Sequence, residues 1–455
     1  LKWSYDRPEG KFAGPNSNGS PLIDDKKNIY TMFGSGVHKF SPDGRLLWEY
    51  WVEGGTNDIP ALFDGRLYVT SASGYVVAVD METGRQVWRT QSVCTWREKR
   101  PARAHHTCDC SRIGYDIASL AAHSGVVTFR THRPEGEGAC KVMGLNASTG
   151  EFLWDYATDH MVWNYYPMLT EDGGSVVFQD STGSVYRLGL DGTEIWKAGT
   201  HSEPWYKTWT DGGVQIGPNG VVYAMKAVGG WNIGPGHISA YRVSDGKHLW
   251  TSPYTQEAPN AWPVIGRMRE DDPLTVIAPI GKAGGHDALW EVWALRLGWM
   301  WQVPVLSSIL KPFFGALAYL HDALGDYARI PFAIPPMQPE VWGLDAETGR
   351  VLWKWLPPVW LQGKFRGENK RILSGGVWCV PNPVGNPTLD ANGNLYIGVL
   401  DGFVYHLTRD SSGPGVKVQS KFDAEGAFSS GGVSLAPGMM VIASCDTLLV
   451  FRGEE

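Results

Sequence analysis

Three aspartates and a set of cysteines are the residues in this chain best able to do chemistry. Asp58, Asp116 and Asp211 each stand just ahead of a short apolar segment, as do Tyr165 and Asn260. If those segments converge, three carboxylates could hold Ca²⁺ or a cationic ligand, while the plainer reading has each Asp cap a turn or hydrate a channel. Trp209 and Trp262 lie in the same stretches. Trp231, in Gly229-Gly230-Trp231-Asn232, could serve as a stacking platform or simply pack between neighbouring elements. The run His105-His106-Thr107-Cys108-Asp109-Cys110 mixes imidazole and thiol ligands suited to zinc or copper. It lacks a spaced Cys-x-x-Cys pair, and the six cysteines are an even count, so disulfides are the expected use.

Composition narrows the class of protein that holds these groups. The net charge is −7 with a pI near 6.0, and Lys and Arg form no block able to neutralise a run of phosphates, so a nucleic-acid partner is not expected. In 455 residues there are 56 Gly and 22 Trp with 19% charged residues, a profile of short strands, tight turns and buried indoles rather than helical bundles. Paired cysteines, with the acceptor patterns Asn18-Gly19-Ser20 and Asn146-Ala147-Ser148, favour an extracytosolic setting, whether secreted, lumenal or organellar. The chain opens at Leu1 without a Met, a basic stretch or a cleavage site, so targeting cannot be read from it.

One pattern recurs: a short apolar strand, an Asp- or Gly-containing turn, then a strand carrying Trp. Its copies are 37–48 (VHKFSPDGRLLW), 76–88 (VVAVDMETGRQVW), 142–154 (VMGLNASTGEFLW), 185–196 (VYRLGLDGTEIW), 238–250 (ISAYRVSDGKHLW) and 341–353 (VWGLDAETGRVLW). A further pair of strands precedes each copy, as in 59–62 and 66–70, so every unit is a four-stranded antiparallel meander. Such units are propeller blades. A seventh, degenerate blade runs from Asn386 to Phe422, with Phe422 expected in place of Trp. After it come only three strands, near 432–436, 439–443 and 447–451. Leu1-Lys2-Trp3 repeats the Leu-x-Trp ending of Leu46-Leu47-Trp48 and supplies the missing fourth. The expected fold is all-β: one eight-bladed propeller over residues 1–455, closed by its N-terminal strand, which removes exposed sheet edges.

The turns Asp80-Met81-Glu82-Thr83-Gly84 and Asp345-Ala346-Glu347-Thr348-Gly349, each followed four residues later by Trp, closely resemble the tryptophan-docking motif of quinoprotein alcohol dehydrogenases and their non-enzymatic relatives. The resemblance implies an indole between neighbouring blades. For the enzymes it further implies pyrroloquinoline quinone (PQQ) and Ca²⁺ at the mouth, an Asp base, an Arg beside the quinone carbonyl and a stacking Trp. Little of this carries over: Asp109 separates Cys108 from Cys110 where those enzymes have adjacent cysteines, their Glu-Asn-Asp metal set finds no alignment, and a c-type haem motif is missing. The non-enzymatic relatives, such as the propeller lipoprotein of bacterial outer-membrane assembly, use the ring to hold partners.

With strands A to D running from axis to rim, A–B and C–D turns share one face, and B–C turns and D–A linkers share the other. The long stretches 93–114, 132–138, 284–340 and 356–385 all fall on the second, where repeat folds usually bind. So do Asp58, Asp116 and Asp211 at the axial mouth, and every cysteine: Cys94, Cys108 and Cys110 in one linker, Cys140 beside the next B–C turn, and Cys379 and Cys445 on adjacent blades. The expected pairs are Cys379 with Cys445, and Cys140 with one of the first three, whose other two join each other.

Within the sixth blade, the insert 284–340 is apolar over 297–306 and 313–320. Its uncharged run is shorter than the roughly 20 residues that cross a bilayer. Pro312 suits a helix start, after which Phe313, Leu317, Leu320 and Leu324 share one face. Trp299, Trp301, Phe313, Phe314, Leu317 and Leu320 are therefore expected to contact a protein partner or a membrane interface, with a lid over the mouth as the alternative. The leading expectation is a non-catalytic binding or scaffold propeller in a larger assembly. An enzyme using the axial pocket, with PQQ and calcium or other chemistry, is second.

Overall fold

The computed structural model describes residues 1–6, 19–33, 36–56, 59–71, 73–91, 119–130, 139–162, 165–199, 208–210, 213–228, 236–253, 255, 261–281, 339–359, 384–428, 431–445 and 447–453. These form eight antiparallel sheets and no helix. In the first blade, Leu22–Ile23, Ile29–Phe33, Gly36–Phe40 and Leu46–Trp51 pair in simple sequence order. Blades two to seven repeat that order, blade five splitting its inner strand into Thr208–Trp209 and Val214–Ile216, both paired with Val221–Val228. The eighth sheet joins Val433–Ala436, Met439–Ala443 and Thr447–Arg452 to Trp3–Asp6, with Trp3 opposite Val450 and Tyr5 opposite Leu448. The ring therefore closes with the N-terminal strand, as the Leu-x-Trp ending required.

The middle strands are buried on both faces, as in Ile29–Phe33 and Thr275–Ile280, and read as continuous β-branched or aromatic runs. Rim strands alternate, because one face packs on the next blade and the other meets water. Inter-blade cores form where those faces meet, such as Tyr68, Trp88, Val127 and Phe129 between blades two and three.

At six seams an indole pegs one blade to the next. The Nε1 atoms of Trp3, Trp48, Trp88, Trp154, Trp196 and Trp250 donate to the carbonyls of Pro42, Met81, Ala147, Leu190, Val243 and Ala346 at 2.7–3.2 Å. Each acceptor lies in the C–D turn of the following blade. In blade two, Asp80 Oδ1 accepts from the Thr83 hydroxyl and amide, both at 2.7 Å, and those bonds hold its carboxyl below the usual carboxylate range. Gly84 then turns at φ +69° and donates to the Asp80 carbonyl. Only glycine fits: a Cβ there would stand 2.7 Å from the Trp48 ring. Asn146 takes the Asp role in blade three, its side-chain oxygen accepting from the Ser148 and Thr149 amides, so one expected glycosylation acceptor is engaged in a docking turn.

Blade seven departs from the expected pattern. Counted from the turn residue Asp410, the docking seat is Val418, 46% exposed, and not Phe422. Phe422 lies farther along the strand and meets Phe451 of blade eight edge-on at 5.3 Å. The insert between Thr275–Ile280 and Glu340–Asp345, which pair directly, lies outside the described residues except at its last two positions, and so does its expected helix.

Candidate functional site at the axial mouth

The inner strands begin in a ring, and their entry residues touch in succession. Gly431 of blade eight packs on Gly19 of blade one, and Gly19 on Ile59 of blade two, so closely that a Cβ at either glycine would stand about 2 Å from its neighbour. The Ile59 amide lies 3.4 Å from Ser119 Oγ of blade three. On the opposite side, Trp262 of blade six reaches over Gly213 of blade five, where a Cβ would stand 2.9 Å from the indole, to Tyr166 of blade four. The two rings are 4.3 Å apart. The Trp262 amide donates to Asn386 Oδ1 of blade seven at 3.0 Å, so this part of the mouth is floored by an aromatic pair spanning three blades and tied to a fourth.

Beside it lies a polar turn that sequence reasoning missed. The B–C turn of blade four, from Gln179 to Ser184, is buried throughout. Asp180 accepts from the Thr182 amide and hydroxyl, the Ser184 amide and the Tyr186 hydroxyl at 2.7–3.1 Å. Burial outweighs these bonds and raises its carboxyl above the usual range. The Thr210 hydroxyl donates to the Asp180 carbonyl, and Gln179 Nε2 donates to the Gly213 and Met225 carbonyls, fixing the turn to the inner strand of blade five. Gln179 Oε1, Ser181 Oγ and Thr56 Oγ1 are buried without a hydrogen-bond partner among the described residues, each a seat for a water or a ligand donor. The available signal was the polar run Gln179-Asp180-Ser181-Thr182-Gly183-Ser184 between two apolar strands.

Of the expected site residues, Trp262 stands at the mouth. Trp209 begins the inner strand of blade five opposite Ala227, with only its backbone described. Tyr165 turns away from the mouth: it is fully buried, its hydroxyl bonds Thr128 Oγ1 at 3.1 Å, and its ring packs on Phe178. Asp58, Asp116, Asp211, Asn260, Trp231, the insert aromatics and leucines, and Cys94, Cys108, Cys110 and Cys379 lie outside the described residues, as does the Cys140 side chain. Cys445 is 2% exposed and disulfide-bonded, to a partner whose side chain lies outside them.

Among the described residues no three His, Cys, Asp or Glu side chains converge to hold a metal, and no helix is long and apolar enough to cross a membrane. Among the described residues at the mouth, the Trp262 indole lies against Tyr166 over Gly213, and Asn386 Oδ1 accepts a hydrogen bond from the Trp262 amide.

Comparison with known proteins agrees with this ring. At 22% identity, 83% of the chain aligns with the polyvinylalcohol dehydrogenase of Sphingopyxis sp. (strain 113P3), spanning 46% of that protein, so the chain covers less than half of this curated relative. Among solved structures, BamB from Moraxella catarrhalis superposes with a TM-score of 0.57 at 14% identity over 99% of this chain and 98% of its own. The quinohemoprotein alcohol dehydrogenase from Comamonas testosteroni gives 0.60 at 11% identity over 100% and 77%. The family model described as outer membrane protein assembly factor BamB matches residues 34–139 and 96–270, together more than half of the sequence, and the chain belongs to that family of PQQ-type propeller repeats.

Proposed function

We propose that this propeller is a non-catalytic binding scaffold that holds a protein partner on the face of its B–C turns and D–A linkers, as part of a larger assembly in an extracytosolic compartment. The distribution of chain length carries this reading. On the opposite face, connections are tight turns such as Asp64-Gly65 and Ser124-Gly125, whereas the stretches 92–118, 131–138, 282–338 and 360–383 all join strands on the proposed binding face. The matching family model, whose description names an assembly factor, supports assembly over catalysis. The disulfide at Cys445, for which we propose Cys379 as partner, suits an oxidising compartment.

Contact is assigned to the segment 284–340, an insertion in the sixth blade, through Trp299, Trp301, Phe313, Phe314, Leu317 and Leu320. Burying several hundred Å² of apolar surface at about 25 cal/mol per Å² is sufficient to drive association after ordering costs are subtracted. The test replaces Leu297 to Leu324 by a short Gly-Ser linker and follows melting beside pull-down of co-purifying chains and co-sedimentation with anionic vesicles. A folded variant that loses its protein partner supports the proposal. One that keeps the partner overturns it, and loss of vesicle binding alone transfers the segment to a membrane surface. The second reading, favoured by the dehydrogenase relatives, is oxidation of an alcohol with PQQ and calcium. Micromolar binding of both by calorimetry, with dye-linked alcohol oxidation, would establish it.

A further inference from the structure

Blade seven is joined to blade six without a peg, and the sequence of its C–D turn says why. The docking turn needs a glycine with positive φ whose amide donates back to the opening carbonyl, either four residues on, as Gly84 to Asp80 and Gly349 to Asp345, or three, as Gly44 to Ser41 and Gly192 to Gly189. In blade seven the turn opens at Asp410; Gly413 at the third position lacks the positive φ of Gly44 and Gly192, and the fourth position is Pro414. Proline holds φ near −65° and has no amide hydrogen, so neither requirement can be met. Trp353 accordingly makes no hydrogen bond to blade seven from its Nε1 among the described residues, although its ring packs in the core shared with Leu395, Tyr405 and Leu407 of that blade.

A guanidinium takes over the turn. Arg409 Nη1 donates to the carbonyls of Pro414 and Gly415. Its Nε stands 2.9 Å from Asp272 Oδ2, in the A–B turn of blade six, and both side chains are nearly buried at 12% and 9% exposure. Arg269 of blade six adds a longer contact to the same carboxylate at 3.6 Å. We infer that Arg409 and Asp272 form a charge latch that replaces the indole peg at this seam, and that blade seven is the unit of the ring that opens separately when the latch breaks. Its other seam supports this: it is closed by Phe422 on Phe451, apolar packing and the Thr388 hydroxyl donating to the Val433 carbonyl at 2.9 Å, with no indole donor in the docking seat.

Hydrogen exchange of the full chain, read blade by blade, tests the latch. Asp272→Asn should accelerate exchange in Leu395–Gly398 and Phe403–Arg409 by about tenfold or more, because one partner of a desolvated pair is left uncompensated, while blades two and three stay unchanged. Asp245→Asn, which breaks the exposed pair Arg242–Asp245, should change neither. Pro414→Gly restores the docking turn, and in that background Asp272→Asn should lose most of its effect. Uniform acceleration in every blade, or none in blade seven, overturns the latch. An undiminished effect in the Pro414→Gly background overturns its role as a substitute for docking. If Asp272→Asn alone does not fold, rescue by Pro414→Gly supports the proposal and failure of rescue rejects it.

Discussion

Trp250 and Trp353 occupy the same seat in consecutive blades, each eight residues after the residue that opens its own C–D turn, Arg242 and Asp345, and only 8% and 7% exposed. Trp250 reaches across to the Ala346 carbonyl, and Trp353 reaches no carbonyl of blade seven among the described residues. The difference lies in the receiving turn and not in the indole. Asp345-Ala346-Glu347-Thr348-Gly349 can wrap its carbonyl toward the neighbour because Gly349 adopts φ +73°, whereas Asp410-Ser411-Ser412-Gly413-Pro414 cannot. A docking tryptophan is thus half of a two-part device, and its presence in one blade reports nothing about the seam until the next blade's turn is read.

The comparison can be broken most severely at the closure. Removing residues 1–6 deletes the peg from Trp3 to Pro42 and the whole outer strand of blade eight. The expected result is a lower melting temperature with aggregation through the freed edge of Thr447–Arg452, and an unchanged melting curve would show that the ring does not depend on that strand.

A finer division comes from the two tryptophans. Replacing either by Ala should cost about 3–5 kcal/mol through the cavity left behind. Replacement by Phe should separate them: at 250 it also removes one of the two hydrogen bonds to the Ala346 carbonyl, leaving that from the Tyr223 hydroxyl and adding about 0.5–1.5 kcal/mol, and at 353 it removes no inter-blade hydrogen bond seen among the described residues. Equal losses in chemical denaturation would remove the distinction between pegged and unpegged seams.

Smaller still are the turn glycines. Gly349→Ala places a Cβ 2.4 Å from Trp250 at a positive φ, and about 1–3 kcal/mol of destabilisation is expected. Gly413→Ala and Gly415→Ala meet nothing within 4 Å and should lie within about 0.5 kcal/mol of the parent.

The weakest effect concerns pH at the closing seam. His38 of blade one is enclosed by Tyr5, Phe33 and Phe40, with Glu49 at 3.7 Å, and burial lowers its pKa from 6.5 to about 4. A neutral native imidazole means that the unfolded chain binds more protons between these values. Stability from this group is therefore complete above about pH 6.5 and falls as pH drops toward 4. His38→Phe should flatten that slope in urea titrations, and an unaltered slope would assign it to other groups.

The repeats, the number of blades, the N-terminal closure and the location of the excess sequence were determined by the sequence alone. Strand periodicity and the Asp-to-Gly-to-Trp spacing are local, and each recurs often enough to be recognised against its other copies. The tertiary structure decided what depends on neighbours far apart in the chain. It placed Trp262 on Tyr166 through the gap at Gly213, turned Tyr165 into the core, and buried the Gln179 to Ser184 turn. It also set Phe422 against Phe451 of blade eight and Arg409 against Asp272, 137 positions away. No spacing rule encodes such meetings, because they arise only when eight sheets twist round a common axis and bring the ends of different blades together.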